Sequence, residues 1–243
     1  MRETPISEAL EVLVALRDHS RMNAHDAQGA FIQYCVTHAA KSHAQFLQDM
    51  WVAYELQSRR NGFFVEFGAA DGVRSSNSCY LERELGWNGI LAEPGRGWYP
   101  ALRNNRACFI DDRCVWTRTG ETVTFNQPAI ALHGTIEQYS KGDMHAETRL
   151  EGDRYAVETV SLTDLLAHWN APRRIDYLSL DTEGSELDIL SSFDFQAYEI
   201  RLITVEHNFT DKRQDLMALL LSKGYRRKFE HLSNVDDWYV LNY

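Results

Sequence analysis

The sequence predicts a Rossmann-like α/β fold: a mostly parallel sheet with helices on both faces, a C-terminal antiparallel hairpin and an N-terminal helical extension. From residue 61 onward, short apolar runs alternate with segments of helical periodicity. A glycine-bearing turn follows the first apolar run, between Phe67 and Ser76. The chain closes with two strand-like segments, Arg226–His231 and Asp237–Leu241, around Ser233-Asn234, which is typical of a hairpin.

Length and charge restrict the class of protein. The chain has 243 residues, of which 44% are hydrophobic, and this suits one domain with an appendage. We expect the extension to cover residues 1–60 and the Rossmann-like domain to cover residues 61–243. The formal net charge of -10 disfavours a large nucleic-acid interface. We expect no signal peptide and no membrane span, and the four cysteines form no CxxC pair, so we expect a cytoplasmic protein.

The first sixty residues show helical periodicity and almost no turn signals. Leu10, Leu13, Val14 and Leu16 recur at three- and four-residue spacing, and a second apolar run covers residues 27–56. These helices either cover a ligand or only shield one face of the sheet, and the sequence leaves both interpretations open.

The predicted elements of the first half follow one another closely. Buried strands are short apolar runs, and glycine or proline marks the turns between elements. The predictions are a strand over Phe63–Phe67, a helix over Ser76–Leu85, a strand over Ile90–Glu93, a helix over Tyr99–Asn104, a strand region over Cys108–Val115, and a fourth strand or hairpin arm over Thr122–Phe125.

The second half begins with an irregular segment. Residues 127–154 show no periodicity, and a loop of that length is usually functional or disordered. After it, the predictions are a strand over Val157–Leu162, a helix from Thr163, a strand over Ile175–Leu180, a helix over Leu187–Phe193, a strand over Ile200–Val205 and a helix over Leu216–Leu221.

Acidic residues follow almost every predicted parallel strand. Ligands of open α/β sheets bind beyond the carboxyl ends of the strands, so these acids should share one cleft. Such a cleft suits hydroxyl and amine groups better than phosphates. The acids are Glu66, Glu93, Asp111, Asp112, Asp181, Glu183 and Glu206, the last of which precedes His207.

The turn after the first strand indicates the kind of ligand. Gly68 and Gly72 allow the backbone to approach a ligand closely. A dinucleotide site would have a third glycine where Ala70 stands, and Asp71 would oppose a pyrophosphate. The turn therefore favours a ligand with cationic or hydroxyl groups, such as S-adenosylmethionine, although a tight structural turn also fits it. Glu93, about 20 residues further on, can accept both ribose hydroxyls.

These segments resemble the FkbM-type methyltransferases, within the Rossmann-like methyltransferase superfamily. The similarity covers roughly residues 62–210 and leaves out the helical extension. It is carried by residues 64–72, 76–78, 81–82, 86–94, the region of Cys114, and residues 157–166 and 175–190.

The resemblance implies S-adenosylmethionine as cofactor and a hydroxyl on a sugar, glycan or natural product as acceptor. Glu93 would hold the ribose and Asp112 the adenine, while Asp181 and Glu183 would border the reacting centre. One departure is Ala70-Asp71, where many relatives have Asn followed by a hydrophobic residue or Asp. The implied cofactor-binding residues are Glu66, Gly68, Ala69, Asp71, Gly72, Ser76, Asn77, Glu93, Asp112 and Asp181.

A methyl transfer to an alcohol needs a base that removes the hydroxyl proton. His207 is the first candidate because it follows a strand end, Asp181 is the second and His133 the third. His207 would equally suit a structural role. No metal is predicted, although Asp181, Glu183 and Glu206 have the oxygen ligands that Mg²⁺ or Ca²⁺ prefers.

Three other functions remain open from the sequence. A nicotinamide-dependent oxidoreductase shares the glycine turn and the acid after the second strand. A non-catalytic binding module would keep the turn and Glu93 without needing Asp181 or His207. A nucleic-acid methyltransferase is disfavoured by the acidic charge.

Overall fold

The computed structural model describes residues 26–242 together with Glu11, Val12, Val14, Ala15 and Asp18 of an N-terminal helical segment. Most of the first predicted helix, including Leu10, Leu13 and Leu16, therefore lies outside the described residues. In the part of the chain that the structure describes, no helix is long and apolar enough to span a bilayer.

Seven α-helices and eleven strands make up the described fold. The helices are α1 (Ala27–His38), α2 (Gln48–Glu55), α3 (Cys79–Leu85), α4 (Tyr99–Asn105), α5 (Leu162–His168), α6 (Glu186–Ser192) and α7 (Lys212–Ser222). The strands are β1 (Phe63–Phe67), β2 (Asn88–Ala92), β3 (Phe109–Asp111), β4 (Cys114–Trp116), β5 (Thr122–Gln127), β6 (Thr135–Ile136), β7 (Asp153–Ser161), β8 (Arg174–Leu180), β9 (Glu199–Glu206), β10 (Tyr225–Lys228) and β11 (Asp236–Leu241).

The main sheet has seven strands in the order β10-β11-β9-β8-β1-β2-β3. The β9–β8, β8–β1, β1–β2 and β2–β3 pairs are parallel, whereas β11 runs antiparallel to both β10 and β9. This confirms the predicted mostly parallel sheet and its C-terminal antiparallel hairpin.

Helices cover both faces of this sheet because successive side chains of each strand point to opposite faces. Val65 and Leu178 belong to a buried cluster that also contains side chains of α5, α6 and α7. Phe64 and Tyr177 belong to a second cluster, with side chains of α1, α2, α3 and α4. The predicted two-faced arrangement is therefore confirmed.

The N-terminal helices α1 and α2 pack directly on the second face. The Phe31 ring stacks on Phe229 with 5.2 Å between centroids, and the Trp51 ring stacks on Trp238 at 5.2 Å. Both partners lie beside or within the C-terminal hairpin, so the extension and the end of the chain share one aromatic core. The helices therefore do shield the sheet face.

A second, four-stranded sheet is inserted between β3 and β8, in the order β4-β7-β5-β6. The structure divides the predicted strand region Cys108–Val115 into β3 of the main sheet and β4 of the small sheet. The Arg113 N–H bonds the Asp111 carboxylate at 3.1 Å in the turn between them. We refer to residues 128–152, which contain β6 and three short 3₁₀-helices, as the cap.

Gly68 closes the turn after β1 against the end of β8. Its φ is +72°, and a Cβ atom built there would lie 2.0 Å from the carbonyl oxygen of Asp181. No side chain fits in that space, so glycine allows the ends of the two strands to meet. Gly120 also has a positive φ, +81°, but a Cβ there would have no atom within 4 Å.

We expect Gly68→Ala to destabilise the fold well beyond Gly120→Ala. The positive φ costs both variants about 1 kcal/mol, and overpacking against Asp181 adds about 1–3 kcal/mol to the first. Urea unfolding followed by circular dichroism measures both changes. Equal losses in the two variants would show that the close approach to Asp181 does not constrain residue 68.

Candidate functional site

A large cavity opens at the carboxyl ends of β1, β2, β8 and β9, where an open α/β sheet binds its ligands. Its volume is about 1130 Å³ including the open mouth. We call it the main cavity. The turns after these four strands form its floor, the cap contributes one wall, and Gln45 reaches it from the N-terminal segment between α1 and α2. The N-terminal extension therefore both shields the sheet and contributes to the cavity.

The structure brings six of the candidate residues together around this cavity. They come from four strand ends and from the cap, which are distant in sequence. These lining residues are Gly68, Glu93, His133, Asp181, Glu183 and Glu206.

The other candidates lie outside the lining of the main cavity. Asn77 lines a smaller polar cavity next to it, and His207 lines a cavity on the far side of Glu183 and Glu206. Asp112 is exposed and lies 3.6 Å from Arg103. The remaining ones are Glu66, Ala69, Asp71, Gly72 and Ser76.

Glu66 organises the turn that leads into α3. Its buried carboxylate accepts hydrogen bonds from Ser76 Oγ at 3.0 Å, from the Asn77 N–H at 2.8 Å and from Ser78 Oγ. The guanidinium of Arg106 lies 3.9 Å away and also donates to the Gly72 carbonyl at 2.9 Å. Glu66 therefore stabilises the turn next to the cavity but does not line the cavity itself.

Asp71 has a local role in the same turn. Its Oδ1 accepts hydrogen bonds from the N–H groups of Val73 at 2.9 Å and Arg74 at 2.8 Å. Such a side chain fixes a turn by pairing with the backbone two and three residues further on.

Glu93 is the acid at the end of β2, and its carboxylate is buried at the cavity wall. The Ala70 N–H donates to Oε2 and the Gly95 N–H donates to Oε1, both at 2.7 Å. Burial raises the pKa of Glu93 to about 7, and these two hydrogen bonds oppose the rise. Each carboxylate oxygen has two acceptor positions, so each keeps capacity for one more donor.

Three further acids meet at the opposite end of the floor. Asp181 follows β8, Glu183 lies two residues beyond it, and Glu206 ends β9; one oxygen from each lies within 4.8 Å of the others. Burial raises the pKa of all three carboxyls, and repulsion from Asp181 raises the pKa of Glu183 and Glu206 further. We call these residues the acid cluster.

Arg149 joins the cap to the acid cluster. It is buried, and its guanidinium donates to Asp143 at 2.7 Å, to Glu183 at 2.8 Å and to the carbonyl oxygen of His133 at 2.6 Å. One side chain thus holds the backbone of His133 near the floor of the cavity.

His133 is the candidate base that lines the main cavity. Its ring stacks on His145 with 3.8 Å between centroids, and its Nδ1 lies 3.2 Å from Thr148 Oγ1. Burial lowers the pKa of His133, and His145 and Arg149 lower it further. The ring is therefore neutral at physiological pH and is able to accept a proton.

His207, the first candidate base, is held in a structural position. The Phe209 N–H donates to its Nδ1 at 3.0 Å, and its Nε2 faces Asp237 at 3.7 Å. Burial lowers the pKa of His207 to about 4; Asp237 opposes this, and Arg213 and Arg227 add to it.

Several lining residues were not found from the sequence. Trp98 and Cys114 lie on the wall next to Glu93, and Asn208 lies beside the acid cluster. Asn208 had a signal, since it follows Glu206 and His207 at a strand end. Gln45 and Arg149 had none, because contacts between distant segments place them at the site.

The fold and this carboxylate-rich cleft define an α/β protein with its candidate ligand site at the carboxyl edge of the sheet. The Methyltransferase FkbM domain model matches residues 66–227, which is more than half of the chain. The chain therefore belongs to the FkbM methyltransferase family. No curated protein matches the chain in sequence.

Solved structures with similar folds include other methyltransferases. A methyltransferase FkbM from Methylobacillus flagellatus KT is 12% identical with a TM-score of 0.46; the match covers 75% of this chain and 44% of that one. The chain thus spans less than half the length of that protein. A precorrin-6y C5,15-methyltransferase from Geobacter metallireducens GS-15 is 10% identical, with a TM-score of 0.42 and coverage of 79% and 85%. A TehB-like SAM-dependent methyltransferase from Corynebacterium glutamicum is 8% identical, with a TM-score of 0.40 and coverage of 88% and 97%.

The lowered pKa of His207 predicts a pH-dependent stability. Between about pH 6.5 and pH 4, the unfolded chain binds a proton at this residue that the folded chain does not, so acidification favours unfolding. From pH 7 to pH 5, we expect the wild type to lose about 2 kcal/mol more than His207→Asn, which cannot titrate. Urea unfolding of both proteins at the two pH values measures the difference. Parallel losses would show that His207 titrates normally in the folded chain.

Proposed function

We propose that this protein transfers the methyl group of S-adenosylmethionine to a hydroxyl group of a small polar acceptor, most simply a sugar, a glycan or a hydroxylated natural product. One observation supports this proposal above the others. The buried Glu93 carboxylate borders the main cavity next to the turn at Gly68, with acceptor capacity left on both oxygens.

The residues of the main cavity fit the donor. The adjacent hydroxyls of a ribose match the two oxygens of Glu93, and Pro94, Trp98 and Val115 provide an apolar wall beside them. When bound, S-adenosylmethionine supplies a methyl group on a positively charged sulfur. The carboxylates of the floor favour a cation over the anionic pyrophosphate of a nicotinamide dinucleotide, which supports the methyltransferase over the oxidoreductase.

The acceptor is expected to bind between the acid cluster and the cap. Thr182, Ser185 and Asn208 line this part of the main cavity and are able to bond hydroxyl groups. His133 would accept the hydroxyl proton, and the cap would exclude water from the reacting centre. We assign this role to His133 in preference to Asp181 because His133 lies on the cap wall of the main cavity, whereas Asp181 is one of three acids packed together on its floor.

The proposal also includes the cellular compartment, which we infer to be the cytoplasm, and the chemical class of the acceptor. All four cysteines are free, and three of them are buried, which suits the reducing environment of the cytoplasm. The acidic net charge supports a small-molecule or glycan acceptor over a nucleic acid.

Calorimetric titration with S-adenosylhomocysteine tests the donor site. We expect saturable binding that Glu93→Gln weakens about tenfold to hundredfold, because hydrogen bonds to a charged group contribute about 1.5–3 kcal/mol. Glu151→Gln is the matched control, since this acid is exposed and outside the lining of the main cavity, and its affinity should equal the wild type. Binding of NAD or NADP in place of S-adenosylhomocysteine would replace the proposal with an oxidoreductase.

A screen of sugars and hydroxylated natural products for release of S-adenosylhomocysteine tests the acceptor class. With an acceptor found in this way, we expect His133→Asn to lower kcat about 10²–10⁴-fold through loss of the base. The affinity for S-adenosylhomocysteine should stay within about threefold of the wild type. His231→Asn, an exposed histidine outside the cavity, serves as control. An unchanged kcat in His133→Asn would remove this residue from the reaction.

A further inference from the structure

The three carboxyl groups of the acid cluster have further acidic residues as their neighbours. Asp181, Glu183 and Glu206 bring one oxygen each to within 4.8 Å of one another. Glu186, Asp236 and Glu66 are the next charged groups that act on Asp181. Three ionised carboxylates this close together repel one another, and either a bound proton or a cation relieves that repulsion.

The protein compensates only part of this charge among the described residues. Arg149 and the Asn208 side-chain amide both donate to Oε2 of Glu183, at 2.8 and 3.3 Å. The same arginine also pairs with Asp143, so it is shared between two acids. Glu206 is only 8% exposed, and its buried Oε2 has no hydrogen-bond donor among the described residues.

A second observation, outside the acid cluster, points to a positively charged ligand. Asn77, Asp181 and Glu206 line one small polar cavity, whose volume is about 290 Å³ including the open mouth. Asn77 is 8% exposed, and its side-chain Nδ2 donates to Ser179 Oγ at 2.9 Å. Its side-chain Oδ1 is buried and accepts no hydrogen bond from any residue that the structure describes. An amide oxygen does not take up a proton at any physiological pH. A buried oxygen of this kind costs about 1–3 kcal/mol unless a donor or a hydrated cation faces it.

We propose that Asp181, Glu183 and Glu206 bind one divalent cation, Mg²⁺ or Mn²⁺. Carboxylate oxygens are the ligands that these hard ions prefer. Three protein ligands, one of them already bonded to Arg149, are few for Ca²⁺, which takes six to eight oxygens. Mg²⁺ binds through a small number of carboxylates and keeps several water molecules, and the main cavity, which the same three carboxylates line, has room for such water.

The role of the cation rests on the proposed function, whereas its binding does not. Asp181, Glu183 and Glu206 would hold the cation, and the cation would make the hydroxyl group of a bound acceptor more acidic. His133 would accept the hydroxyl proton while the acceptor oxygen bonds the methyl carbon, and the methyl–sulfur bond would break to release S-adenosylhomocysteine.

The experiment measures Mn²⁺ binding by the purified chain in the absence of cofactor. Titration is followed by the loss of the free-ion signal in electron paramagnetic resonance, and competition with Mg²⁺ and Ca²⁺ is measured on the same sample. We expect one saturable site, displaced by Mg²⁺. Glu206→Gln and Glu183→Gln should each weaken binding at least about tenfold. The control is Glu151→Gln, an exposed acid of the cap, which should match the wild type.

Two outcomes would overturn the cation site. One is the absence of saturable Mn²⁺ binding up to about 1 mM by wild-type protein that still binds S-adenosylhomocysteine, which leaves the proposed methyl transfer intact. The other is Mn²⁺ binding that is unchanged in both glutamine variants. Conversely, Mn²⁺ binding without binding of S-adenosylhomocysteine would support the cation site and contradict the proposed function. Circular dichroism of each variant excludes a loss caused by unfolding.

Discussion

The close approach of Gly68 to the carbonyl of Asp181 is the constraint on which the site depends. It brings the ends of two neighbouring parallel strands into contact, and the chain must then turn away sharply on both sides. On one side the turn places Ala70 so that its N–H bonds Glu93. On the other, it leads through Glu183, whose φ of +59° directs the chain towards the cap. Because Gly68 has no side chain, this one position sets the path of the chain at both ends of the cavity floor.

Much of the fold was predictable from the sequence because buried parallel strands consist of short runs of apolar residues. Phe63–Phe67 and Ile175–Leu180 were found within one residue of β1 and β8. The sequence did not predict that the region Cys108–Val115 contains two strands. Its residues look alike whether they form one continuous strand or two strands in different sheets. The irregular composition of residues 127–154 did not indicate the 3₁₀-helices of the cap, which depend on contacts such as those of Arg149.

At the site, the ends of the parallel strands were the most informative signal for acidic side chains, and the turn after the first strand supplied Gly68. Glu93, Asp181 and Glu206 line the main cavity because a parallel sheet brings its carboxyl ends to one edge. Asp71 and Asp112 also stand near strand ends, but one pairs with the backbone of its own turn and the other faces solvent. Whether an acid faces the cavity or a turn is decided by side-chain geometry that residue spacing does not contain.

The position of Arg149 has a consequence for the order of folding. Its buried guanidinium has partners on the cap, Asp143 and the His133 carbonyl, and one on the main sheet, Glu183. If the cap formed first, the Arg149 guanidinium would lack Glu183 as a partner. If the main sheet formed first, Glu183 would simply stay in contact with water until the cap docked. The main sheet should therefore assemble early and the cap should dock late, so the reacting centre is completed last, at the step where its most distant segments meet.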